Sequence, residues 1–438
     1  MSVVFALATP ASRSALCVFR VTGAGCLDCL PDIFNLAPEK PRTFYNRLLV
    51  GSDGVIDSVG VVFFEGSNSY TGEDSFEVFA HGGLAIMNSI VGLFEEIGFD
   101  EAGPGEFTKR SFLNDKLSLS QAESVSDAIN ATRKDVLKVA LNSLAGGFAA
   151  EVFGFADRVD EVRKFVEGSI DFSDEDYDFI NDGGVVESLE VLCADFGGFV
   201  SSCYVSAENE SKKSVLFVGP PNSGKSSLFN RLLGFDRALV SDSAGTTRDL
   251  IESEVFYNNS SFGIIDSAGI RKTEDKIEKD GVELALGKIK KADVVVAVFD
   301  SEDVAMKNEL AALALDKPFL TVLNKIDLDV AGDEGAFDFA LSAKTGAGIS
   351  DFKNCISNLF KHTKVGDQKY FARSRHVRLF DSCLASLQDS MIKIKAGEDL
   401  DLAAEDLRLA RVSLDDVVGV KTSDSLLGDI FNDFCIGK

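Results

Sequence analysis

Apolar residues follow two different rhythms along this chain, and the switches between them divide it. Over the first hundred residues, short extended runs (Val3 to Leu7, Leu16 to Val21, Val59 to Phe64) stand among turn-rich segments, with one helical stretch near Leu84 to Ile97. Short runs rich in Val, Ile and Phe between turn residues read as strands, so a small α/β domain is predicted. From Ser118 to about Ser206, apolar positions recur every three or four residues between charges, as in Ala122, Val125, Ala128, Ile129 and again Val159, Val162, Phe165, Val166. That is the period of long amphipathic helices. The acidic run Asp171 to Asp178 and the break Asp182-Gly183-Gly184 separate two of them, and read as a solvated connection rather than a metal site.

At Val215 the rhythm changes to short apolar strands alternating with helical segments, as in a doubly wound parallel sheet, and it ends near Lys361. Helical periodicity then resumes over Arg373 to Lys395, Leu400 to Leu414 and Ser423 to Phe434. A helical pattern that stops, yields to an α/β unit and starts again predicts an insertion. The fold class expected is α/β plus all-α. Residues 1–117 form an N-terminal α/β domain, 118–211 the first part of a helical domain, 212–361 an inserted Ras-like phosphate-loop domain, and 362–438 the second helical part.

Bulk properties narrow the partners. A chain of 438 residues has room for two to four domains. Its 44 basic against 70 acidic residues give a net charge of −26, which opposes broad electrostatic capture of nucleic acid; an RNA role needs a local basic patch or a basic partner. No apolar run approaches the roughly 18 residues of a membrane span. Met1 to Thr9 lacks a basic flank and a cleavage site, so it reads as a first strand and not a signal peptide, and a cytoplasmic location without membrane partners is expected. The eight cysteines are too scattered for a disulfide framework, and Cys26 and Cys29, with no second pair and no neighbouring histidine, read as a coincidental C-x-x-C.

The chemistry is concentrated between Val215 and Lys344. The strand run Val215 to Val218 leads into Gly219-Pro220-Pro221-Asn222-Ser223-Gly224-Lys225-Ser226, a complete G-x-x-x-x-G-K-S phosphate loop opening a helix at Ser226. Backbone amides and the helix N-terminus cradle phosphate there, Lys225 reaches the terminal phosphates and Ser226 can ligate magnesium. The base is read by Asn324-Lys325-Ile326-Asp327 after the strand Phe319 to Leu323. The Asp327 carboxylate can accept from N1 and the exocyclic amine of guanine, whereas adenine has no matching donor pair. Ser342-Ala343-Lys344 is placed to close over the base. In Gly245-Thr246-Thr247-Arg248-Asp249, Thr247 can complete the magnesium shell; in Asp266-Ser267-Ala268-Gly269, Asp266 can hold magnesium through water and Gly269 can sense the γ-phosphate. The expected contacts to GTP therefore run through Asn222, Ser223, Gly224, Lys225, Ser226, Ser227, Ser241, Thr246, Thr247, Asp266, Gly269, Asn324, Lys325, Asp327, Ser342, Ala343 and Lys344, and a GTP-hydrolysing enzyme is expected.

Small GTPases align the attacking water with a glutamine after D-x-x-G, and here that position is Ile270. An aliphatic side chain cannot orient water, so turnover is poor or another group acts. Glu278, with Arg271 as a charged neighbour, is the candidate, set against the plainer reading that both lie on a solvated switch helix.

Beyond these elements the chain resembles the MnmE (TrmE) family of tRNA-modifying GTPases over essentially its whole length. The resemblance rests on Ala8-Thr9-Pro10, Tyr70-Thr71-Gly72-Glu73-Asp74, His81-Gly82-Gly83, Pro104-Gly105-Glu106-Phe107-Thr108, Phe112-Leu113-Asn114-Asp115-Lys116-Leu117, the Gly245 to Asp249 switch and the terminal Phe434-Cys435-Ile436-Gly437-Lys438. It implies a homodimer whose N-terminal domain binds a folate one-carbon donor such as 5-formyltetrahydrofolate, at a site including Arg20, Glu77, Lys116 and Lys438. Arg20 and the lysines suit the glutamate tail and Glu77 the pterin ring. It also implies potassium-dependent hydrolysis, the ion held by Asn222, Ser241, Ser243 and Thr246, with Glu278 orienting water. The flavoprotein MnmG would carry FAD and most of the tRNA surface, and the pair would add an aminomethyl-type group (carboxymethylaminomethyl) at C5 of the wobble uridine. Ser267 stands in the usual D-T-A-G position, and neither it nor Ser241 and Ser243 removes a required ligand. Cys435 lacks a neighbouring histidine and is given no catalytic role. Two other readings compete: a ribosome-assembly GTPase of the Era or Der type, which leaves the N-terminal half unexplained, and a non-catalytic GTP-controlled switch.

Overall fold

In a computed structural model of the chain, the described residues are 2–36, 40–131, 133–172, 178–205, 213–235, 253–257, 260–265, 289–290, 292–301, 303–314, 317–328, 334–360, 368–397, 399–420, 423–432 and 434–437. Two compact units emerge: Met1–Ala131, Val136–Ala207 and Asp367–Lys438 make up one, and Thr132–Asp135 with Glu208–Gly366 the other. Mixed α/β structure with many helices is present across the described residues.

The first unit begins with a six-stranded sheet of β1 (Val4–Leu7), β2 (Cys17–Thr22), β3 (Tyr45–Gly51), β4 (Gly54–Phe64), β5 (Ser75–Ala80) and β6 (Asp100–Glu101), in the order β3-β4-β5-β2-β1-β6. Every neighbouring pair is antiparallel except β1 with β6. Along β5 buried and half-buried positions alternate, the pattern of a strand with one covered face. Phe5, Phe19 and Phe76 pack around Phe94 of the helix Leu84–Glu96, at centroid distances of 5.2, 6.0 and 6.1 Å. Such edge and tilted contacts add to the burial of four large rings.

A helical bundle of Gly147–Asp171, Val185–Ser201, Ser374–Ala396 and Leu400–Val418 encloses a second core in the same unit, led by Phe148, Leu192, Phe380 and Leu407. The helical rhythm predicted up to Ser206 breaks earlier than expected, because Cys203–Val205 is a strand, β7. It pairs in parallel with β14 (Tyr370–Ala372), in the register Tyr370 to Cys203 and Ala372 to Val205. These three-residue strands flank the segment that forms the second unit, so the chain leaves and re-enters the first unit through one ladder. Neither strand was legible alone, since each has its only partner far away in sequence.

The second unit holds the other sheet: β8 (Ser214–Val218), β9 (Ser253–Tyr257), β10 (Ser260–Ile265), β11 (Val294–Phe299), β12 (Phe319–Leu323) and β13 (Phe339–Ala340), in the order β13-β12-β11-β8-β10-β9. All pairs are parallel but β9 with β10. β8 and β11 are buried at every position, the mark of central strands covered on both faces. β8 has β10 on one side and β11 on the other, so strand order reverses there, the place where open parallel sheets bind ligands.

Candidate functional site

The phosphate loop springs from the carboxyl end of β8, and its helix, Lys225–Phe235, starts one residue before the expected Ser226. Three residues of the turn take left-handed φ: Gly219 at 135°, Asn222 at 63° and Gly224 at 90°. A Cβ on Gly219 would lie 2.2 Å from the Val298 carbonyl oxygen, so only glycine lets the loop pass over β11. The Lys225 ammonium donates to the carbonyls of Gly219 and Pro220 at 3.0 and 2.7 Å, which holds its charge over the concave side of the loop. Ser226 and Ser227 are exposed on the first helical turn, and Ser223 is fully buried.

Asn324 ties the pieces together. Buried at the end of β12, it donates from Nδ2 to the Ser223 carbonyl at 2.9 Å and accepts at Oδ1 from the Ala343 amide at 3.0 Å. One side chain thus links the phosphate loop to the Ser342-Ala343-Lys344 loop. Asp327 is exposed, and the Ser342 hydroxyl donates to its Oδ1 at 2.6 Å while accepting from the Thr345 amide. This hydrogen bond holds the Asp327 carboxyl below the usual carboxylate range, keeping it an acceptor. Lys325, at φ 67°, pairs with Asp300 at 2.7 Å. Sequence reasoning missed two residues here. Asp300 follows β11 as an ordinary loop acid, and Arg231, on the phosphate-loop helix, donates to the Lys344 carbonyl at 3.0 Å; neither sits in a recognisable motif.

The structure thereby brings Asn222, Ser223, Gly224, Lys225, Ser226, Ser227, Asn324, Lys325, Asp327, Ser342, Ala343 and Lys344 to one end of one sheet. Ser241, Ser243, Thr246, Thr247, Asp266, Gly269, Ile270, Arg271 and Glu278 lie outside the described residues.

A second site lies in the first unit, a cavity of about 390 Å³ between β2, β5 and the turn Gly66–Asn68. Arg20, Glu77 and Lys116 all line it, and Lys438 lies outside the described residues. Arg20 donates from Nε to Glu77 at 2.8 Å across the β2–β5 ladder, in which the two face each other. Its Nη1 donates to the Gly437 carbonyl at 3.3 Å. The C-terminal tail is therefore docked on this domain. Gly105 N–H donates to the Cys435 carbonyl, Pro104 bridges Ile436, and Gly437, at φ 86°, is so close that a Cβ would lie 2.9 Å from the Ala8 Cα. Arg42, which no motif signalled, lines the same cavity.

The C-x-x-C segment is a single turn of 3-10 helix, with Cys26 buried and burial pushing the Cys29 thiol up to about 12. Both are held as thiols, and no cluster of metal-binding side chains occurs among the described residues. Nor is any single described helix long and apolar enough to cross a membrane.

A mostly parallel sheet with its strand order reversing at a G-x-x-x-x-G-K-S loop, and an Asn324-Lys325-Ile326-Asp327 motif hydrogen-bonded to that loop, define a P-loop GTPase. Comparison with known proteins extends this to the whole chain. Residues 3–116 match the family model "GTP-binding protein TrmE N-terminus" and residues 119–435 match "MnmE helical domain". The protein named tRNA modification GTPase MnmE from Shewanella loihica is 36% identical over 99% of both chains, and that of Legionella pneumophila strain Philadelphia 1 is 36% identical, again over 99% of each. A solved FeoB G domain from Methanococcus jannaschii is 26% identical, covering 34% of this chain and 96% of that one at a TM-score of 0.23. The chain belongs to the MnmE family.

Proposed function

We propose that this MnmE-family GTPase hydrolyses GTP in a potassium-dependent way and, with the flavoprotein MnmG, adds a carboxymethylaminomethyl-type group at C5 of the wobble uridine of certain tRNAs. The observation that carries the nucleotide part is Asn324, which joins the phosphate loop to the Ser342-Ala343-Lys344 loop while Ser342 fixes Asp327. Phosphate and guanine are then recognised by one connected frame. Magnesium is assigned to Ser226 and Thr247. The Ser226 hydroxyl is exposed on the first turn of the helix and makes no hydrogen bond with a described residue, as suits an oxygen ligand for a hard cation. Bound there, the ion would supply positive charge to the phosphates of the nucleotide.

Potassium is assigned to Asn222, Ser241, Ser243 and Thr246. Asn222 stands exposed on the left-handed turn of the loop, its amide unpaired among the described residues, which fits an oxygen donor for a large, weakly hydrated ion. Glu278, with Arg271 as a charged neighbour in the sequence, is assigned to orienting water, since Ile270 stands where small GTPases carry a glutamine. The cavity of the first unit is assigned to 5-formyltetrahydrofolate, through Arg20, Glu77, Lys116 and Lys438. A net charge of −26 supports leaving FAD and most of the tRNA contact to the partner. A homodimer acting in the cytoplasm completes the reading. The match of 3–116 to the TrmE N-terminal model removes the Era or Der alternative, which left that half without a role.

The test is GTP turnover in potassium against sodium at equal ionic strength. Potassium should raise the rate at least about tenfold, the scale of one well-placed charge in the transition state. Equal rates would remove the potassium assignment.

A further inference from the structure

Arg231 ties two parts of the second unit that lie far apart in sequence. It stands on the helix Lys225–Phe235, six residues beyond Lys225 and so about 9 Å along the axis from the end that carries the phosphate loop. From there its half-buried side chain donates from Nη2 to the Lys344 carbonyl at 3.0 Å. Gly346 makes this approach possible. Its φ is 91°, and a Cβ there would lie 2.9 Å from Nη2 and 3.5 Å from both Cζ and Nε, so the guanidinium rests against bare backbone.

The carbonyl that Arg231 holds belongs to a closed turn. Ser342 N–H donates to the Ala347 carbonyl at 3.0 Å, Gly346 N–H to the Ser342 carbonyl at 2.8 Å, and Thr345 N–H to the Ser342 hydroxyl at 3.0 Å. That hydroxyl donates in turn to Asp327 at 2.6 Å. A chain of contacts therefore runs from the phosphate-loop helix through Arg231 and one turn to the Asp327 carboxylate. Asn324 holds the same turn at the neighbouring Ala343 amide. A single bond leaves a turn free to pivot about it, and a second on the next residue removes that freedom.

We propose that Arg231 is a positioning residue for guanine: by fixing the turn at Lys344 it fixes the Ser342 hydroxyl, and with it the carboxylate of Asp327, in the orientation that accepts two hydrogen bonds at once. This rests on the reading of Asp327 as the base reader. A planar guanidinium suits the task, because its rigid fork of donors holds an orientation that a single ammonium does not. The effect falls on the base side, since Lys225 is held separately by the Gly219 and Pro220 carbonyls.

Calorimetric titration of the full-length protein with GDP and with IDP, whose hypoxanthine lacks the exocyclic amine, tests this. Asp327 can accept two hydrogen bonds from guanine and one from hypoxanthine, so the wild type should prefer GDP. Arg231→Met keeps the apolar stem and loses the fork. It should weaken GDP about tenfold, the scale of one charge-assisted hydrogen bond, and IDP no more than about threefold, so that the preference for guanine shrinks. Arg231→Lys, which can still donate to the Lys344 carbonyl, should recover part of that preference. A purely structural role would weaken both nucleotides alike. Equal losses for GDP and IDP in Arg231→Met, or unchanged GDP affinity, would overturn the proposal. A wild type that binds GDP and IDP equally would instead remove Asp327 as the base reader, and the role of Arg231 with it.

Discussion

Asp327 shows how much of a recognition site depends on a neighbour that no motif assigns to it. As an exposed carboxylate it would be free to rotate, but the Ser342 hydroxyl at 2.6 Å fixes one oxygen and lowers its proton affinity. Asp327→Asn should weaken GTP binding roughly tenfold or more and shift preference towards xanthine nucleotides, because an amide presents a donor to guanine N1. A binding titration with GTP and XTP reads both effects, and unchanged GTP affinity would remove Asp327 as the base reader. Gly224 is a stricter case. Its φ is 90°, and a Cβ there would lie 2.2 Å from Asn324 Nδ2, which is pinned by its bond to Ser223. Gly224→Ala should therefore displace Asn324 and abolish measurable GTP binding. Retained binding in that variant would mean that the Asn324 bridge is not what holds the site together.

At the scale of elements, strands and helices with strong local periodicity were legible in the sequence: Phe319–Leu323 falls where it was expected, and Leu84–Glu96 ends one residue early. What escaped were elements defined only by distant partners. β7 and β14 are three residues each and owe their existence to one another, and the docking of Gly437 on β1 depends on a close approach that no local pattern encodes. Gly437→Ala is predicted to undock the tail, since it meets both a left-handed φ and the Ala8 backbone at 2.9 Å. Folate binding and tRNA modification should fall, with GTP hydrolysis intact; a variant that modifies tRNA normally would show the tail to be ornamental. Deleting Cys435 to Lys438 should give the same split.

The helix Leu119–Asn130 carries a buried ionic cluster of the same long-range kind. Glu123 accepts from Arg375 at 2.8 Å and meets His376 at 2.9 Å, and Asp127 accepts from Arg373 at 2.6 Å. Burial alone would raise the Glu123 carboxyl, but His376 and Arg375 outweigh it and hold it down at about 2. Its contribution to stability is therefore fully present above its ordinary value of 4.5 and drains as pH falls towards 2. Asp127 works in the opposite sense. Burial pushes it up to about 6 against the pull of Arg373, so its share is lost as pH rises from 3.8 through 6. Burial holds the His376 imidazole below its ordinary 6.5, so at neutral pH Glu123→Gln leaves the Arg375 guanidinium short of its counter-charge and should cost about 3 kcal/mol in urea unfolding. The variant should also flatten the acid limb of the stability curve between those limits; an unchanged limb would mean that another carboxylate sets it.

For the whole molecule, sequence order and charge carry different parts of the account. The guanine and phosphate motifs were readable because each sits where strand passes into loop, so local sequence and site coincide. Arg42 was not, because a lone arginine after Pro41 becomes meaningful only when the turn Gly66–Asn68 folds beside it. The central claim is that nucleotide turnover in one unit serves chemistry on a tRNA base. Mass spectrometry of wobble uridines, in tRNA from cells lacking this chain, tests it most directly. The account predicts uridines unmodified at C5, restored by the wild-type chain and not by Asp327→Asn; full carboxymethylaminomethyl-type modification in the absence of the chain would contradict it.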